Sequence, residues 1–168
     1  MAMENPDKQI LFSGRLGSRR FIRADDFATI LLWRSQPSTY LFTKSGKLPK
    51  KAEHFAWSIN RVASIEEEPY FAYLIDEEMV AVTRLEKLAE NTTTYEIGIL
   101  VKGEMRKQGI ASQCILDSIE FASNFKNLKS LVAWIHKENF ASIKLFERCG
   151  FKYSNVKSKN FLQYFLKL

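Results

Sequence analysis

One stretch constrains the fold of this chain more than any other, because a strand pattern, a short loop and a helix pattern follow one another directly. The strand pattern is "TTTYEIGILV" (92–101), the loop is "EMRKQGIASQ" (104–113), and the helix pattern starts at about Ser112 and continues through "CILDSIEFAS". Alternating apolar residues are typical of a strand, and apolar residues three and four apart are typical of a helix. This succession predicts an α/β fold.

The other patterns continue the alternation of strands and helices. Two strand patterns at 69–75 and 79–85 are separated by "DEE", which predicts a hairpin. Residues 36–50 contain Pro, Ser and Gly with little periodicity and predict a loop. The other predicted strands are 19–23, 130–136, 151–156 and 161–167, and the other predicted helices are 24–35, about 49–62, and 139–150.

Length and composition bound the class of protein. At 168 residues, 46% of them hydrophobic, the chain is expected to form one domain over 1–168. The N-terminus has no signal-peptide core and no stretch approaches the ~20 apolar residues of a membrane span, so we expect a cytoplasmic protein without a membrane partner. Cys114 and Cys149 form neither a disulfide framework nor a zinc spacing, which fits a reducing compartment and predicts no metal.

The formal net charge of +6 favours anionic partners. These could be nucleic acid, a membrane surface or a small molecule rich in phosphate. The lysines are scattered rather than clustered on one periodic face, so nucleic acid is the weakest of these hypotheses.

The loop between the strand and the helix has the residues of a phosphate-binding turn. A helix N-terminus carries N–H groups without intrahelical partners and a partial positive charge, which together attract phosphate. Gly109 and Ala111 keep the approach to those groups open, and Arg106 can add a fork of donors. The spacing fits a pyrophosphate cradle, although it also occurs in ordinary turns between a strand and a helix.

A second motif gives this loop a context. The run "NFASIKLFERCGF" (139–151) follows the loop after one further strand pattern. Together the two motifs resemble those of the GNAT superfamily of N-acetyltransferases. The resemblance covers roughly 92–153 by motif and most of the chain by the order of elements.

The resemblance implies a mixed, twisted sheet whose fourth and fifth strands splay apart and hold acetyl-CoA between them. The pyrophosphate would rest on the loop, and the pantetheine arm would run along the strand that ends near Val101. The implied cofactor-binding residues are Ile99, Leu100, Val101, Arg106, Lys107, Gln108, Gly109, Ile110, Ala111, Asn139, Ser142 and Phe146. The positive net charge fits this anionic ligand without nucleic acid.

The chemistry of acetyl transfer requires a base. An unperturbed amine with a pKa of about 10.4 is neutral in roughly one molecule per few thousand at pH 7, and only the neutral form attacks a thioester. Glu96 matches a carboxylate position used in parts of the family, and a backbone N–H of Ile99 or Leu100 would stabilise the oxyanion. His136, at a strand end, is a second candidate base. The alternatives are an exposed strand residue for Glu96 and a solvated bystander for His136.

One residue departs from the family pattern. The family often has a tyrosine where this chain has Phe146, and that tyrosine protonates the departing thiolate. Either another acid serves, with Tyr95, Tyr153 and Tyr164 as candidates, or the CoA thiolate leaves largely unaided. A non-catalytic acyl-CoA-binding module is the alternative that this substitution leaves open.

The acceptor side is predicted from "LLWRS" (31–35) and "EHFAWSINR" (53–61). These segments are similar to a branch that contains enzymes for nucleotide-linked amino sugars, including pseudaminic-acid-type pathways, and enzymes for the N-termini of ribosomal proteins. The predicted acceptor-binding residues are Trp33, Arg34, His54 and Trp57, with core packing as the alternative for both tryptophans. An aromatic face beside an arginine suits a nucleobase or sugar together with a phosphate.

The sequence therefore predicts an acetyl-CoA-dependent N-acetyltransferase, a monomer or homodimer, whose preferred acceptor is an amino sugar on a nucleotide carrier. Protein N-termini and polyamines are the alternative acceptors. The basic composition disfavours a polyamine, because a cationic substrate needs acidic walls.

Overall fold

Eight strands form one mixed sheet in this computed structural model, which describes residues 6–12, 14–89, 92–125 and 127–168. The strands are β1 (Lys8–Phe12), β2 (Arg15–Phe21), β3 (Tyr70–Ile75), β4 (Glu78–Lys87), β5 (Thr94–Val101), β6 (Ser130–His136), β7 (Lys152–Lys157) and β8 (Phe161–Lys167). The helices are α1 (Asp26–Arg34), α2 (Pro37–Tyr40), α3 (Lys51–Ala63), α4 (Ile110–Asn124) and α5 (Phe140–Arg148). The order across the sheet is β1-β2-β3-β4-β5-β6-β8-β7, and each neighbouring pair is antiparallel except β5 and β6.

Helices cover both faces of the sheet, as the side chains of β3 show. Phe71 and Tyr73 belong to a core that includes residues of α4 and α5, whereas Tyr70 and Ala72 belong to a second core with residues of α1. Successive side chains of a strand point to opposite faces, so a strand covered on both faces is apolar throughout, as "YFAYLI" is. The predicted α/β class with a mixed sheet is confirmed.

The two parallel strands separate partway along their length. They are paired from Thr94–Ser130 to Glu96–Val132. Beyond that point the ladder between these described strands ends, although β6 stays paired with β8 as far as His136. Backbone groups of β5 that face the gap can therefore bond a ligand. The predicted splay is confirmed, and the splayed strands are the fifth and sixth because β1 precedes those that the sequence predicted.

β1 and α2 are the elements that the sequence did not predict. β1 is short and forms by pairing with β2. β2 begins at Arg15, four residues before the start of the predicted strand 19–23. α2 is a four-residue turn inside the predicted loop 36–50, and it starts at Pro37, a residue favoured at the first helical position. Among the described residues, no helix is both long enough and apolar enough to cross a membrane.

Candidate active site

The gap between β5 and β6 opens into a cleft of about 1200 Å³, which we call the large cleft. This volume exceeds the roughly 300–1,000 Å³ of most small-molecule sites. The turn from β5 to α4, the first residues of α5 and part of the segment after α1 line the cleft.

The N-terminus of α4 faces the large cleft and has the features of an anion site. Gly109 caps the helix with a φ of 78°, which glycine adopts without strain. No described side chain caps this helix, and Gln113 makes the N-terminal hydrogen bond to the Gly109 carbonyl at 3.2 Å. Ile110, Ala111 and Ser112 line the cleft, and their N–H groups come before that bond in the helix. They therefore have no partner within the helix. This turn fits the pyrophosphate of CoA.

The side chains of the three residues before Gly109 differ from one another in their contacts. Arg106 donates from Nη1 to Ser38 Oγ at 2.9 Å and from Nη2 to Thr39 Oγ1 at 3.0 Å, so its fork is bonded to α2. Both Arg106 and Lys107 line the large cleft. The Gln108 side chain turns back and donates to a backbone carbonyl at 3.1 Å.

The walls of the large cleft include residues 99–101 of β5 and the start of α5. Asn139 caps α5, because its Oδ1 accepts the N–H of Ser142 at 3.2 Å, and this capping fixes both residues at the cleft. Phe146 is 3% exposed, and its ring packs edge-on against Phe151 with 5.1 Å between centroids.

Glu96 lies where β5 and β6 separate, and it lines the large cleft. One carboxylate oxygen is 3.3 Å from Lys44 Nζ, and the other is 3.5 Å from Arg84 Nη2. Arg84 also pairs with Glu86, which lies directly opposite Glu96 on β4. Opposed carboxylates repel each other. Arg84 and Lys44 offset that repulsion and hold Glu96 in place.

His136 lies at the end of β6, on the opposite wall of the large cleft. Its Nδ1 accepts the N–H of Glu138 at 3.3 Å. Its ring packs against Phe42 and Phe161, with 5.6 and 5.3 Å between centroids. These contacts fix the imidazole, and because Nδ1 accepts a hydrogen bond, the neutral ring carries its proton on Nε2.

A second cleft of about 550 Å³, the small cleft, adjoins the large one. Residues 98–100 of β5 line both, so the two clefts meet along this strand. The basic side chains that line the small cleft are Arg34, Lys47, Lys50 and Arg84. The single carboxylate in its described lining is Glu53, bonded to Lys50 at 2.8 Å. This lining favours an anionic or neutral ligand over a polycation.

Arg34 lines both clefts and is half-buried. Its guanidinium lies over the ring of Trp57, with 5.2 Å from Cζ to the centroid. No hydrogen bond or ion pair joins this guanidinium to another described residue. Burial lowers the pKa of Arg34, but a guanidinium remains charged at neutral pH. The arrangement is suited to receive a carboxylate or a phosphate.

The other predicted acceptor residues divide into two groups. Trp57 and His54 line the small cleft, whereas Trp33 is 5% exposed, packs in the second core and lines neither cleft. For Trp33 the core-packing alternative holds, because it lies on the buried face of α1.

His54 is a buried, neutral imidazole. It is 4% exposed, its Nε2 lies 2.9 Å from the Phe27 carbonyl, and its Nδ1 has no hydrogen-bond partner among the described residues. Burial lowers the pKa of His54. The hydrogen bond to the Phe27 carbonyl raises this pKa in part, and the positive charge of Arg34 lowers it further. The carbonyl requires a donor, so Nε2 carries the proton.

Sequence reasoning missed Arg84, Lys44 and Gly98. A Cβ on Gly98 would lie 2.8 Å from Arg84 Nε, so this glycine makes room for the arginine to cross β5. An arginine inside the apolar strand pattern "MVAVTRL" was the available signal for Arg84. Lys44 gave no signal, because its partner Glu96 lies 52 residues further along the chain.

The comparisons with known proteins agree with this geometry. Residues 15–152 match the model of the acetyltransferase (GNAT) domain. A protein of Methanocaldococcus jannaschii, itself described as uncharacterized, is 31% identical over 137 residues, which is 79% of this chain. The chain spans about a quarter of that relative's length, 27%.

Solved structures show the same similarity. A domain from Methanocaldococcus jannaschii superposes with a TM-score of 0.79 and 28% identity, over 96% of this chain and 99% of that one. An N-acetyltransferase from Staphylococcus aureus Mu50 superposes with a TM-score of 0.72 and 25% identity, over 90% of this chain and 98% of that one. The family match over most of the chain confirms the predicted acetyltransferase class. The chain therefore belongs to the GNAT family of acetyltransferases.

Proposed function

We propose that this enzyme acetylates a primary amine whose molecule also carries an anionic group, and that an amino sugar on a nucleotide carrier is the preferred acceptor. The observation that carries the proposal is the guanidinium of Arg34, half-buried between the two clefts without a described counter-charge. An unpaired, partly buried charge is costly, and a diphosphate bound there would offset that cost.

The donor would bind in the large cleft. The N–H groups at residues 110–112 would bind the pyrophosphate, with Lys107 as a nearby positive charge. Backbone groups of β5 beyond Glu96 would bond the pantetheine arm, since β6 has left that edge. Asn139 and Ser142 would line the other side of the arm. Acetyl-CoA bound in this way supplies the thioester.

Glu96 is the proposed base. It shares a face of β5 with Gly98 and Leu100, which line both clefts. An amine held in the small cleft would reach the large cleft at these residues, so Glu96 can take its proton through a water molecule. The N–H of Ile99 or Leu100 would stabilise the oxyanion. His136 does not line the small cleft, and its neutral ring carries the proton on Nε2, so it ranks second as a base.

No residue of the chain is assigned to protonate the departing thiolate. No tyrosine lines the large cleft within the described residues, and Phe146 has no proton to give. Two of the tyrosines that the sequence left as candidates are bonded elsewhere: Tyr95 donates to the Glu67 carbonyl at 3.2 Å, and Tyr164 donates to Glu147 at 3.4 Å.

A protein N-terminus is the second candidate acceptor, and two exposed leucines favour it. Leu48 lines the small cleft and is 61% exposed, and Leu88 lines the large cleft and is 44% exposed. Apolar side chains of a peptide could pack on them, while an acidic side chain of the same peptide could pair with Arg34. A polyamine has no group for Arg34.

The test measures thiol release from acetyl-CoA with four acceptors: a UDP-linked amino sugar, a peptide with acidic residues after its N-terminal amine, a matched basic peptide, and spermidine. We expect the highest kcat/KM for the UDP-linked sugar and the lowest for spermidine. Preference for the acidic peptide would favour the protein acceptor, and preference for spermidine would contradict the anion site. Binding of CoA in calorimetry without thiol release from any acceptor would indicate a non-catalytic acyl-CoA-binding module.

A further inference from the structure

A weakly held segment forms one wall of both clefts. Residues 36–48, which we call the cleft segment, contain α2 and otherwise no helix or strand, and none of them is buried. Thr39, Thr43 and Ser45 of this segment line both clefts. Since buried apolar contacts contribute little here, side-chain bonds to the rest of the molecule must determine where this wall lies.

Arg106 supplies a cluster of such bonds. Its Nη1 and Nη2 donate to the hydroxyls of Ser38 and Thr39 at 2.9 and 3.0 Å. Its Nε donates to the carbonyl of Val101, at the end of β5, at 3.3 Å. A planar guanidinium bonded on both sides is a rigid link, and this one joins α2 to the strand that separates the two clefts.

Other contacts of the cleft segment lie further along it and are weaker. Lys44 is 69% exposed and lies 3.3 Å from Glu96, and Phe42 packs against His136. An exposed lysine pair contributes little and is screened by salt. Arg106 is therefore the link that fixes the start of the segment.

We infer that Arg106 is a positioning residue for the acceptor side of the site, and that its fork holds the cleft segment instead of the pyrophosphate. The inference rests on the proposed function, because it assigns the small cleft to the acceptor. It also changes the role that the sequence predicted for this residue, since each terminal nitrogen expected to meet a phosphate donates to a hydroxyl, 68 and 67 residues earlier in the chain.

Two variants that break the bonds between Arg106 and α2 from opposite ends test the inference. Arg106→Met removes the donors and keeps the apolar stem, whereas Ser38→Ala combined with Thr39→Val removes the acceptors and leaves Arg106 intact. Hydrogen exchange of the peptide that covers 36–48 is measured on CoA-free protein, with β3 as an internal control. The dissociation constant of CoA is measured by calorimetry on the same proteins.

We expect exchange in the cleft segment to be about tenfold faster or more in both variants, since charge-assisted bonds are lost in each. The combined triple variant should be no faster, because the two changes remove the same interaction. The CoA dissociation constant should stay within about threefold of wild type, a difference below 1 kcal/mol on that scale.

The inference would be overturned if Arg106→Met weakened CoA binding about tenfold or more and left hydrogen exchange in the cleft segment unchanged. Arg106 would then bind the pyrophosphate, as the sequence predicted. Additive effects in the triple variant would also overturn it, because the two ends would then act independently. Failure of the wild-type enzyme to acetylate any of the four acceptors would count against the proposed function alone, since the exchange measurement requires no acceptor.

Discussion

Two arginines of this protein occupy opposite environments. The Arg19 side chain is 0% exposed and donates from Nη1 to Asp117 at 2.9 Å. Arg34 is half-buried, stacks on Trp57 and has no hydrogen bond or ion pair with its guanidinium in the described part of the chain. The first is paired within the fold, and the second is the proposed contact for the anionic group of the acceptor.

Around Arg19 the polar groups are bonded to one another. The Tyr73 hydroxyl donates to Asp117 at 2.9 Å and lies 3.0 Å from the Ser118 hydroxyl, which is 2.7 Å from that of Thr83. Burial raises the pKa of Tyr73, so the phenol stays protonated as a donor. The network joins β2, β3, β4 and α4, and a buried network of this kind specifies the packing of its elements.

The comparison separates stability from function. A charge that the fold surrounds with partners fixes the position of α4, whose N-terminus forms the proposed donor site. A charge that the fold leaves without a described partner, and turns toward a cleft, is expected to contribute to binding instead. We therefore expect substitutions around Arg19 to change the free energy of unfolding and substitutions around Arg34 to change kinetic constants.

Removal of the Asp117 charge should have the largest effect. Asp117→Asn leaves Arg19 buried without a full counter-charge and should lower the free energy of unfolding by about 3–5 kcal/mol, as measured by urea denaturation. Glu120→Gln, on the same helix, is the matched control, because it breaks the partly exposed contact with Lys8 at 2.8 Å. That control should cost about 1 kcal/mol or less, and equal losses would remove the distinction between the two environments.

Glu96→Gln should have the largest effect on catalysis. If Glu96 takes the proton of the acceptor amine, kcat should fall by about 10²–10⁴ while the free energy of unfolding changes little. The loss should shrink as the assay pH approaches the pKa of the amine, because the substrate then deprotonates unaided. Glu86→Gln, across the ladder on β4, should lower kcat less. Wild-type rates for Glu96→Gln between about pH 6 and pH 9 would remove the base assignment.

The sequence predicted what local patterns determine. The strand at 130–136 has its predicted bounds, because a short apolar run that is rich in β-branched and aromatic residues is typical of a buried strand. The loop with Gly109 was predicted, since its conformation depends on neighbours in sequence. Arg34 and Trp57 were predicted from a resemblance and from residue type, and the fold brings them together at the small cleft.

The sequence did not predict what distant pairs determine. The buried ion pair of Arg19 could not be predicted, because its partner Asp117 lies 98 residues away and a charge in a strand pattern is typical of a solvent-exposed position. The bonds from Arg106 to α2 were not predicted for the same reason, since the bonded residues lie 67 and 68 residues apart in the chain. Trp33 and Trp57 look alike in sequence, and only the packing of α1 on the sheet determines that Trp33 is buried.

Arg34→Met should change binding of the acceptor without loss of stability. Methionine keeps the apolar contact with Trp57 but removes the charge, so the acceptor KM should rise about ten- to a hundredfold while the acetyl-CoA KM stays constant. Added salt should weaken acceptor binding more in the wild type than in the variant, since screening acts on the charge that the variant lacks. Unfolding of the variant, or no change in either constant, would make Arg34 a structural residue like Arg19.

The smallest expected effect concerns His54, which lies between the two kinds of environment because it is buried and also lines the small cleft. Burial lowers its pKa below the ordinary value of 6.5, and Arg34 adds to the effect. As the pH falls through about 6.5 the unfolded chain binds a proton that the folded chain does not, so the free energy of unfolding decreases by up to about 1.4 kcal/mol per pH unit until the folded pKa is reached.

Urea denaturation of the wild type and of His54→Gln at several values of pH isolates this contribution, since the other titrating groups are common to both proteins. The difference in free energy of unfolding between the two proteins should be constant above about pH 6.5 and should change below it. In the Arg34→Met background this change should cover a narrower pH range, because one cause of the lowered pKa of His54 is absent. Parallel stability profiles for the wild type and His54→Gln would show that the imidazole is not held neutral.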